Sequence, residues 1–204
     1  MIAKSEIRKI NKEKRKAMSK EEVAEKSILA QAAFLESDLY KNAQQIMLYM
    51  PLGNEIGTDN MMKQSFADGK KVVLPITNGE TGEITPYLIN ENTTFVIGAF
   101  KVREPVGASI ADVTKTDVII VPGIAFDERG ARVGFGKGCY DRLLAESDAV
   151  KVGYCYEYQV SEAIADEAHD MRMDYILTEK GIRKIKYGKH PVNLRLQGVL
   201  FCGN

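Results

Sequence analysis

The sequence predicts an α/β fold: a single-domain, three-layer sandwich with a mostly parallel central sheet covered by helices on both faces. Three observations carry that expectation. Short, continuous apolar runs at Val118–Val121, Val152–Tyr156 and Tyr175–Thr178 read as strands buried on both faces, the pattern of parallel sheets. Helical segments separate the runs, as the crossovers between parallel strands require. The 204 residues contain no Pro/Gly/Ser-rich linker and suffice for one full core.

Taken in order, Lys4 to Met18 reads as a polar, basic helix. Ser19 with Glu22 forms a capping box for a second helix, whose apolar side is expected to carry Val23, Ile28, Ala32 and Leu35. Gln45 to Met50 is a buried strand, and Thr58 caps a short helix that stops near Gly69. Lys71 to Leu74 is the next strand. Asn78-Gly79 to Gly82 marks a turn into Ile84 to Ile89, in a hairpin arrangement. Val118–Val121 and Val152–Tyr156 are core strands with a helix from Tyr140 to Ala145 between them, and Tyr175–Thr178 is expected to be the last strand of the sheet. Ligands on such sheets bind beyond the carboxyl ends of the strands.

The segment after Val121 is the most informative. Pro122-Gly123 ends the strand, an irregular stretch follows, and three glycines alternate through Gly134-Phe135-Gly136-Lys137-Gly138 before Tyr140, Asp141 and Arg142 open a helix. Glycines at that density let successive backbone N–H groups turn inward as a concave anion site, and a helix start adds its positive end. Lys137 supplies a mobile cation, and Asp141 could hold a magnesium ion. Neither the Walker A spacing nor the dinucleotide fingerprint fits, because Gly138 follows Lys137 directly and the third glycine comes too early. A flexible surface turn would explain the glycines alone, but not the glycines, lysine and acid together.

Composition narrows the function classes. Lys plus Arg and Asp plus Glu number 28 each, so no global charge argues for nucleic acid. Cys139, Cys155 and Cys202 show no CxxC spacing and read as reduced thiols of a cytoplasmic protein. No apolar run approaches the roughly 20 residues of a membrane span. Glu6 and Glu13 argue against an organelle-targeting helix at the N-terminus.

The segment VPGIAFDERGARVGFGKGCYDRLL resembles the signature of the 5-formyltetrahydrofolate cyclo-ligase (methenyltetrahydrofolate synthetase) family. KSEIRK at Lys4 to Lys9, YMPLGNEIGT at Tyr49 to Thr58, VVLP at Val72 to Pro75, REP at Arg103 to Pro105 and HDMRMDYILTE at His169 to Glu179 resemble it in the same order. The likeness runs to about Ile185 and leaves the tail from Lys186 to Asn204 beyond it, within one domain of residues 1–204. It implies a NagB/RpiA/CoA-transferase-like fold, ATP as co-substrate with Mg²⁺, a small-molecule folate as substrate, neither nucleic acid nor membrane as partner, and a cytoplasmic monomer or weak homodimer.

The same resemblance implies the site. Lys4, Ser5, Glu6, Ile7, Arg8, Arg132, Val133, Gly134, Phe135, Gly136, Lys137, Gly138, Cys139 and Tyr140 would contact ATP, with Lys137 and Arg132 catalytic. Met50, Glu55 and Tyr140 would contact folate, and Asp141 and Asp174 would hold the metal. Two residues depart from the family pattern. Gly57 stands where an Asp is usual, which should loosen local hydrogen bonding, and Cys139 stands where an aromatic residue is usual.

On sequence alone, Lys4, Arg8 and Arg15 share a helix face that is either a solvated basic surface or a set of phosphate contacts. Lys12, Lys14 and Lys16 read as surface, and His169 and His190 as structural or surface residues. Two rival functions remain at this stage. One is a folate- or nucleotide-binding relative without turnover, which Gly57 and Cys139 would favour. The other is a nucleic-acid module built on the basic helix, which the balanced charge disfavours.

Overall fold

A computed structural model describes residues 3–165 and 170–186, so the readings of His169, His190, Cys202 and the tail from 187 onward lie outside the described residues. The chain opens with helices α1 (Lys4–Ala17), α2 (Lys20–Leu35) and α3 (Asp38–Asn42). Strand β1 (Gln45–Met47), helix α4 (Asp59–Ala67) and strands β2 (Lys71–Thr77) and β3 (Ile84–Ile89) follow. Strands β4 (Thr94–Ile97), β5 (Arg103–Val106) and β6 (Ser109–Ile110) lead to the central β7 (Val118–Pro122). The remainder comprises β8 (Ala125–Asp127), β9 (Arg132–Val133), α5 (Cys139–Ala145), β10 (Val150–Tyr154), β11 (Val160–Ser161), β12 (Tyr175–Thr178) and β13 (Gly181–Lys184).

The main sheet has eight strands in the order β13-β12-β10-β7-β1-β2-β3-β6. From β12 to β2 every neighbouring pair is parallel, whereas β13, β3 and β6 pair antiparallel at the edges. The mostly parallel sheet expected from the apolar runs is therefore present. β2 and β3 form the expected hairpin, in register from Val72↔Ile89 to Thr77↔Ile84. Tyr175–Thr178 is not the last strand, because the chain turns back into β13. That edge strand, Gly-Ile-Arg-Lys, has no apolar run to announce it.

Alternate residues of each buried strand supply two separate cores. Ile46, Leu48, Val72, Leu74, Ile120, Val152 and Tyr154 face Ala30 and Phe34 of α2, Tyr40 of α3 and Met61 of α4. Met47, Val73, Ile119, Val121 and Ile176 face Phe126, Leu143 and Leu144 on the other side. Each fully buried aliphatic or Phe side chain contributes about 1.5–3 kcal/mol relative to exposure. The three-layer arrangement follows from this two-sided burial.

The buried face of α2 is the expected one only in part: Val23 and Leu35 pack against the core, but Ile28 and Ala32 do not. Ser27, Ala30, Gln31 and Phe34 point inward, while Ile28 and Leu29 are exposed. The polar pair is inside because other backbone needs it. Gln31 Oε1 accepts the N–H groups of Asn60 and Met61 in the first turn of α4, at 2.7 and 3.1 Å. Gln31 thus caps that helix, whereas Thr58, the residue expected to cap it, donates its hydroxyl to Tyr49 O at 2.8 Å. Ser19 does cap α2, accepting the Glu22 N–H.

Chain order places β2 on one side of β1 and β7 on the other, so the direction of winding reverses between β1 and β7. The crevice beyond the carboxyl ends of those two strands is the expected ligand position. The polar helix α1 lies over this end, with Ile7 on the small cluster of Ala125, Ala131, Val133 and Ile164.

Close packing makes one glycine irreplaceable in the core. A Cβ on Gly153, in the middle of β10, would stand 2.6 Å from the ring of the fully buried Phe126 and 2.9 Å from Ile176 Cδ1. Gly153→Ala is expected to destabilise the protein by roughly 1–3 kcal/mol, a Tm decrease of about 2–12 °C, measured by thermal unfolding. An unchanged Tm would show that the ring has room to move.

Candidate functional site

A cavity of about 860 Å³ opens at the winding reversal, with Tyr49 and Met50 following β1 on one wall and Pro122 ending β7 on another. Its lining includes five basic side chains (Lys4, Arg8, Lys101, Arg132, Lys137) and three carboxylates (Glu55, Asp141, Asp170), so it has an excess of positive charge for an anion. The segment from Gly134 to Gly138 forms part of its rim.

The glycine segment needs its glycines for conformation. Gly136 has φ 98° and Gly138 has φ 63°, both in the left-handed region that other residues occupy at a cost. Gly138 is also the residue from which α5 starts. Arg142 fastens this loop to the β2–β3 turn, donating to Lys137 O at 3.2 Å and to Gly82 O at 3.0 Å.

Helix α1 presents four residues of one face to the site, and none of them is simply solvated. Lys4 Nζ pairs with Asp170 Oδ2 at 2.6 Å. Arg8 Nε donates to Gly134 O at 2.9 Å. Asn11 Nδ2 donates to Ile124 O at 3.0 Å. Arg15 pairs with Glu55 at 3.1 Å. The basic face is thus turned towards the protein, and the surface reading of Lys4, Arg8 and Arg15 is set aside.

Arg132, buried at the start of the short strand β9, donates to both oxygens of Asp141 at 3.0 Å and lies 5.6 Å from the centre of the Tyr140 ring. Its Nε is buried and makes no hydrogen bond. Lys137 Nζ lies 5.0 Å from the centre of the Phe100 ring. Phe100 and the next residue, Lys101, hold left-handed backbone angles, φ 57° and 60°, at the tip of the β4–β5 hairpin. Two consecutive non-glycine residues in that region carry strain of order 1 kcal/mol or more each, and the strain leaves the Phe100 ring half-exposed on the cavity wall.

The cavity also has an apolar lining. Met50, Leu52 and Tyr140 contribute to it beside Glu55, which is buried. Burial pushes the Glu55 carboxyl above its ordinary pKa, and the Arg15 guanidinium and the Leu52 N–H oppose that rise. Burial also raises the Tyr140 phenol. Gly57 does not loosen this region. Its N–H donates to Ser27 Oγ at 2.8 Å and its C=O accepts the Tyr154 hydroxyl at 2.8 Å, so its backbone is held on both sides.

Of the residues expected from sequence, Lys4, Arg8, Met50, Glu55, Arg132, Gly134, Phe135, Gly136, Lys137, Gly138, Cys139, Tyr140 and Asp141 all line this cavity. Ser5 and Glu6 are exposed, and Ile7 and Val133 pack in the small cluster beneath α1. Asp174 stands elsewhere. Its carboxylate accepts the Lys151 N–H at 2.8 Å, at the amino ends of β10 and β12, the opposite end from the cavity. Asp170, which the sequence reading passed over, is on the cavity wall instead. The Met171 N–H lies 3.4 Å from Asp141 Oδ1, linking the residue after Asp170 to the second cavity carboxylate. Among the described residues no cluster of three or more His, Cys, Asp or Glu could enclose a metal alone. Two carboxylates beside an anion site nevertheless fit magnesium, which takes one or two protein carboxylates and completes its shell with phosphate oxygens and water.

Comparison with known proteins decides the family. The family model described as the 5-formyltetrahydrofolate cyclo-ligase family matches residues 1–179. This chain belongs to that family. A probable 5-formyltetrahydrofolate cyclo-ligase of Schizosaccharomyces pombe is 32% identical over 165 residues, covering 72% of this chain and 80% of the relative. The cyclo-ligase of Escherichia coli is 27% identical over 174 residues, covering 82% and 95% respectively. The NMR structure of the Aquifex aeolicus 5,10-methenyltetrahydrofolate synthetase superposes with a TM-score of 0.81 at 33% identity, over 95% of this chain and 100% of that one. Among the described residues, no helix of this cyclo-ligase homologue is long and apolar enough to cross a membrane.

The Arg142 bridge generates a test that does not depend on turnover. Each hydrogen bond is worth about 0.5–1.5 kcal/mol. Arg142→Ala should therefore raise amide hydrogen-exchange rates roughly tenfold in residues 134–138 and 78–82 while leaving the β7 and β10 amides unchanged. Unchanged exchange in both loops would mean that they hold their positions without the bridge.

Proposed function

We propose that this chain closes 5-formyltetrahydrofolate to 5,10-methenyltetrahydrofolate, using ATP and magnesium and releasing ADP and phosphate. The observation that carries the reading is that one cavity holds a glycine loop ringed by cations together with apolar and aromatic side chains and a buried carboxylate. The first suits a triphosphate and the second a flat, hydrogen-bonding heterocycle.

The chemistry asks for this pairing. A formamide carbon is a poor electrophile and its oxygen a poor leaving group. The formyl oxygen attacks the γ-phosphorus, breaking the bond to ADP and turning that oxygen into a phosphate leaving group. The neighbouring folate nitrogen then attacks the activated carbon, the C–O bond breaks, phosphate departs and that nitrogen loses its proton. No covalent enzyme nucleophile is needed, so catalysis is positioning and charge neutralisation.

Lys4 and Arg8 on α1, the loop amides from Gly134 to Gly138, and Lys137 hold the phosphates, and Arg132 with Lys137 neutralises the charge developing on the transferring group. Asp141 and Asp170 replace the earlier pairing of Asp141 with Asp174 as the carboxylates that would hold magnesium. Bound there with the nucleotide, the ion would neutralise phosphate charge. Glu55 accepts hydrogen bonds from the pterin edge, Met50 and Tyr140 pack on its faces, and the exposed Phe100 ring covers the mouth. Cys139 makes a helix-start packing contact, with its Sγ beside Gly82, and takes no chemical role. The protein acts in the cytosol on a small folate, without nucleic acid, as a monomer or weak homodimer.

The deciding experiment mixes purified protein with 5-formyltetrahydrofolate and magnesium, with and without ATP, and follows the near-ultraviolet absorbance of the conjugated amidinium product. Absorbance should rise only with ATP, and Lys137→Ala should lower kcat roughly 100-fold or more. No rise, with folate still bound tightly, would mean a binding protein that has kept the cavity and lost the reaction.

A further inference from the structure

The apolar lining of the cavity has its carboxylate held from behind. Glu55 lines the cavity and Arg15 does not; Arg15 approaches from α1 and pairs with Oε1 at 3.1 Å, while Oε2 accepts the Leu52 N–H at 3.0 Å. Each carboxylate oxygen accepts one bond from the protein and retains acceptor capacity towards the cavity. Glu55 is buried and Arg15 largely so, their side chains at 8% and 13% exposure, so the pair is poorly screened and geometrically fixed.

The guanidinium is itself fixed. It lies 5.9 Å from the centre of the Phe135 ring in the glycine loop, and Asn54 Nδ2 donates to Arg15 O at 3.0 Å, tying the end of α1 to the segment that carries Glu55. The other titratable groups facing Glu55 are Tyr49, just beyond β1, and Tyr140 of α5. Burial raises both phenols, so both are neutral and neither replaces the cation. A carboxylate stripped of water and left without a cation takes up a proton, which converts an acceptor into a donor.

We propose that Arg15 is a positioning residue for the folate end of the site, holding Glu55 as an oriented carboxylate that accepts the N–H donors of the pterin edge. This rests on the cyclo-ligase reading above. It assigns α1 two tasks: Lys4 and Arg8 serve the phosphates, and three turns along, Arg15 serves the folate without touching it.

The test compares wild type, Arg15→Met and Arg15→Lys in the ATP-dependent absorbance assay. Wild-type turnover comes first, because its absence overturns the cyclo-ligase reading and not the role of Arg15 within it. Given turnover, Arg15→Met should raise KM for 5-formyltetrahydrofolate about 10- to 100-fold, the loss of a hydrogen bond between charged groups, and leave KM for ATP near the wild-type value. The sign of the pH effect follows from the pair. Arg15 holds the Glu55 pKa down against burial, so its removal lets that pKa rise, and the acid limb of kcat/KM for folate should move to higher pH. Arg15→Lys, which keeps the cation, should restore most of both effects.

Glu55→Gln provides a second check if Arg15→Met folds poorly. It has no carboxyl to titrate, so the Glu55-dependent acid limb should be absent from whatever activity remains. An unmoved limb and folate KM in Arg15→Met, equal rises in KM for both ligands together with a lowered Tm, or an acid limb that persists in Glu55→Gln would each overturn the assignment.

Discussion

Everything at the functional end of this protein depends on how a polar helix is attached to an apolar sheet. Helix α1 has little apolar surface to bury; Ile7 is its contact with the small cluster over β8 and β9. It is held by side chains at positions 4, 8, 11 and 15, one face of the helix, each bonded to a different segment: Asp170, Gly134 O, Ile124 O and Glu55. Such bonds are worth about 1–3 kcal/mol apiece, far less than the two cores that fix the sheet. The helix is therefore anchored mainly by polar contacts, and three of the residues it bonds, Asp170, Gly134 and Glu55, line the cavity. A ligand that joins α1 to the glycine loop adds contacts where the fold itself supplies few.

The sheet was legible because burial on both faces writes itself into the sequence as unbroken β-branched runs, as at Val118–Val121. Where the requirement was something other than burying apolar surface, the sequence was a poor guide. In α2 the spacing of Val23, Ile28, Ala32 and Leu35 suggested one face, but the fold buries Ser27 and Gln31 because Gly57 and the start of α4 need hydrogen-bond partners. Those needs arise from residues some thirty positions away and have no local signature. Strand β13 was equally silent, since an edge strand of four mixed residues is defined by its partner.

The site divides in the same way. The glycine loop, Lys137 and the helical spacing of Lys4 and Arg8 were readable, because their geometry is local. Asp170 and Asp174 were not distinguishable. They lie four residues apart in an irregular stretch, and only the start of β12 determines that one faces the cavity and the other the Lys151 amide at the far end of the sheet. The pairing of Arg15 with Glu55, forty residues apart, was beyond any reading of spacing. Nor does anything in the chain between β3 and β7 announce that Phe100 is held in a left-handed conformation beside Lys137.

Three charged couples stand at the cavity, Lys4 with Asp170, Arg132 with Asp141, and Arg15, from behind the wall, with Glu55, and Arg8, Lys101 and Lys137 line it besides. The first two couples are where the phosphates would lie; the third is at the folate end. An anion approaching alone would be drawn by Arg8, Lys101 and Lys137 but would meet Lys4 and Arg132 already paired with carboxylates, and drawing either away would leave a partly buried acid without its cation. An anion approaching together with a divalent cation faces no such cost. Asp141 and Asp170 would exchange one positive partner for another, leaving Lys4 and Arg132 for the phosphates. On the proposed reaction, the ion pairs of the cavity would thus favour nucleotide with magnesium over nucleotide alone, while the Arg15–Glu55 couple would stay intact and keep the carboxylate charged for the folate.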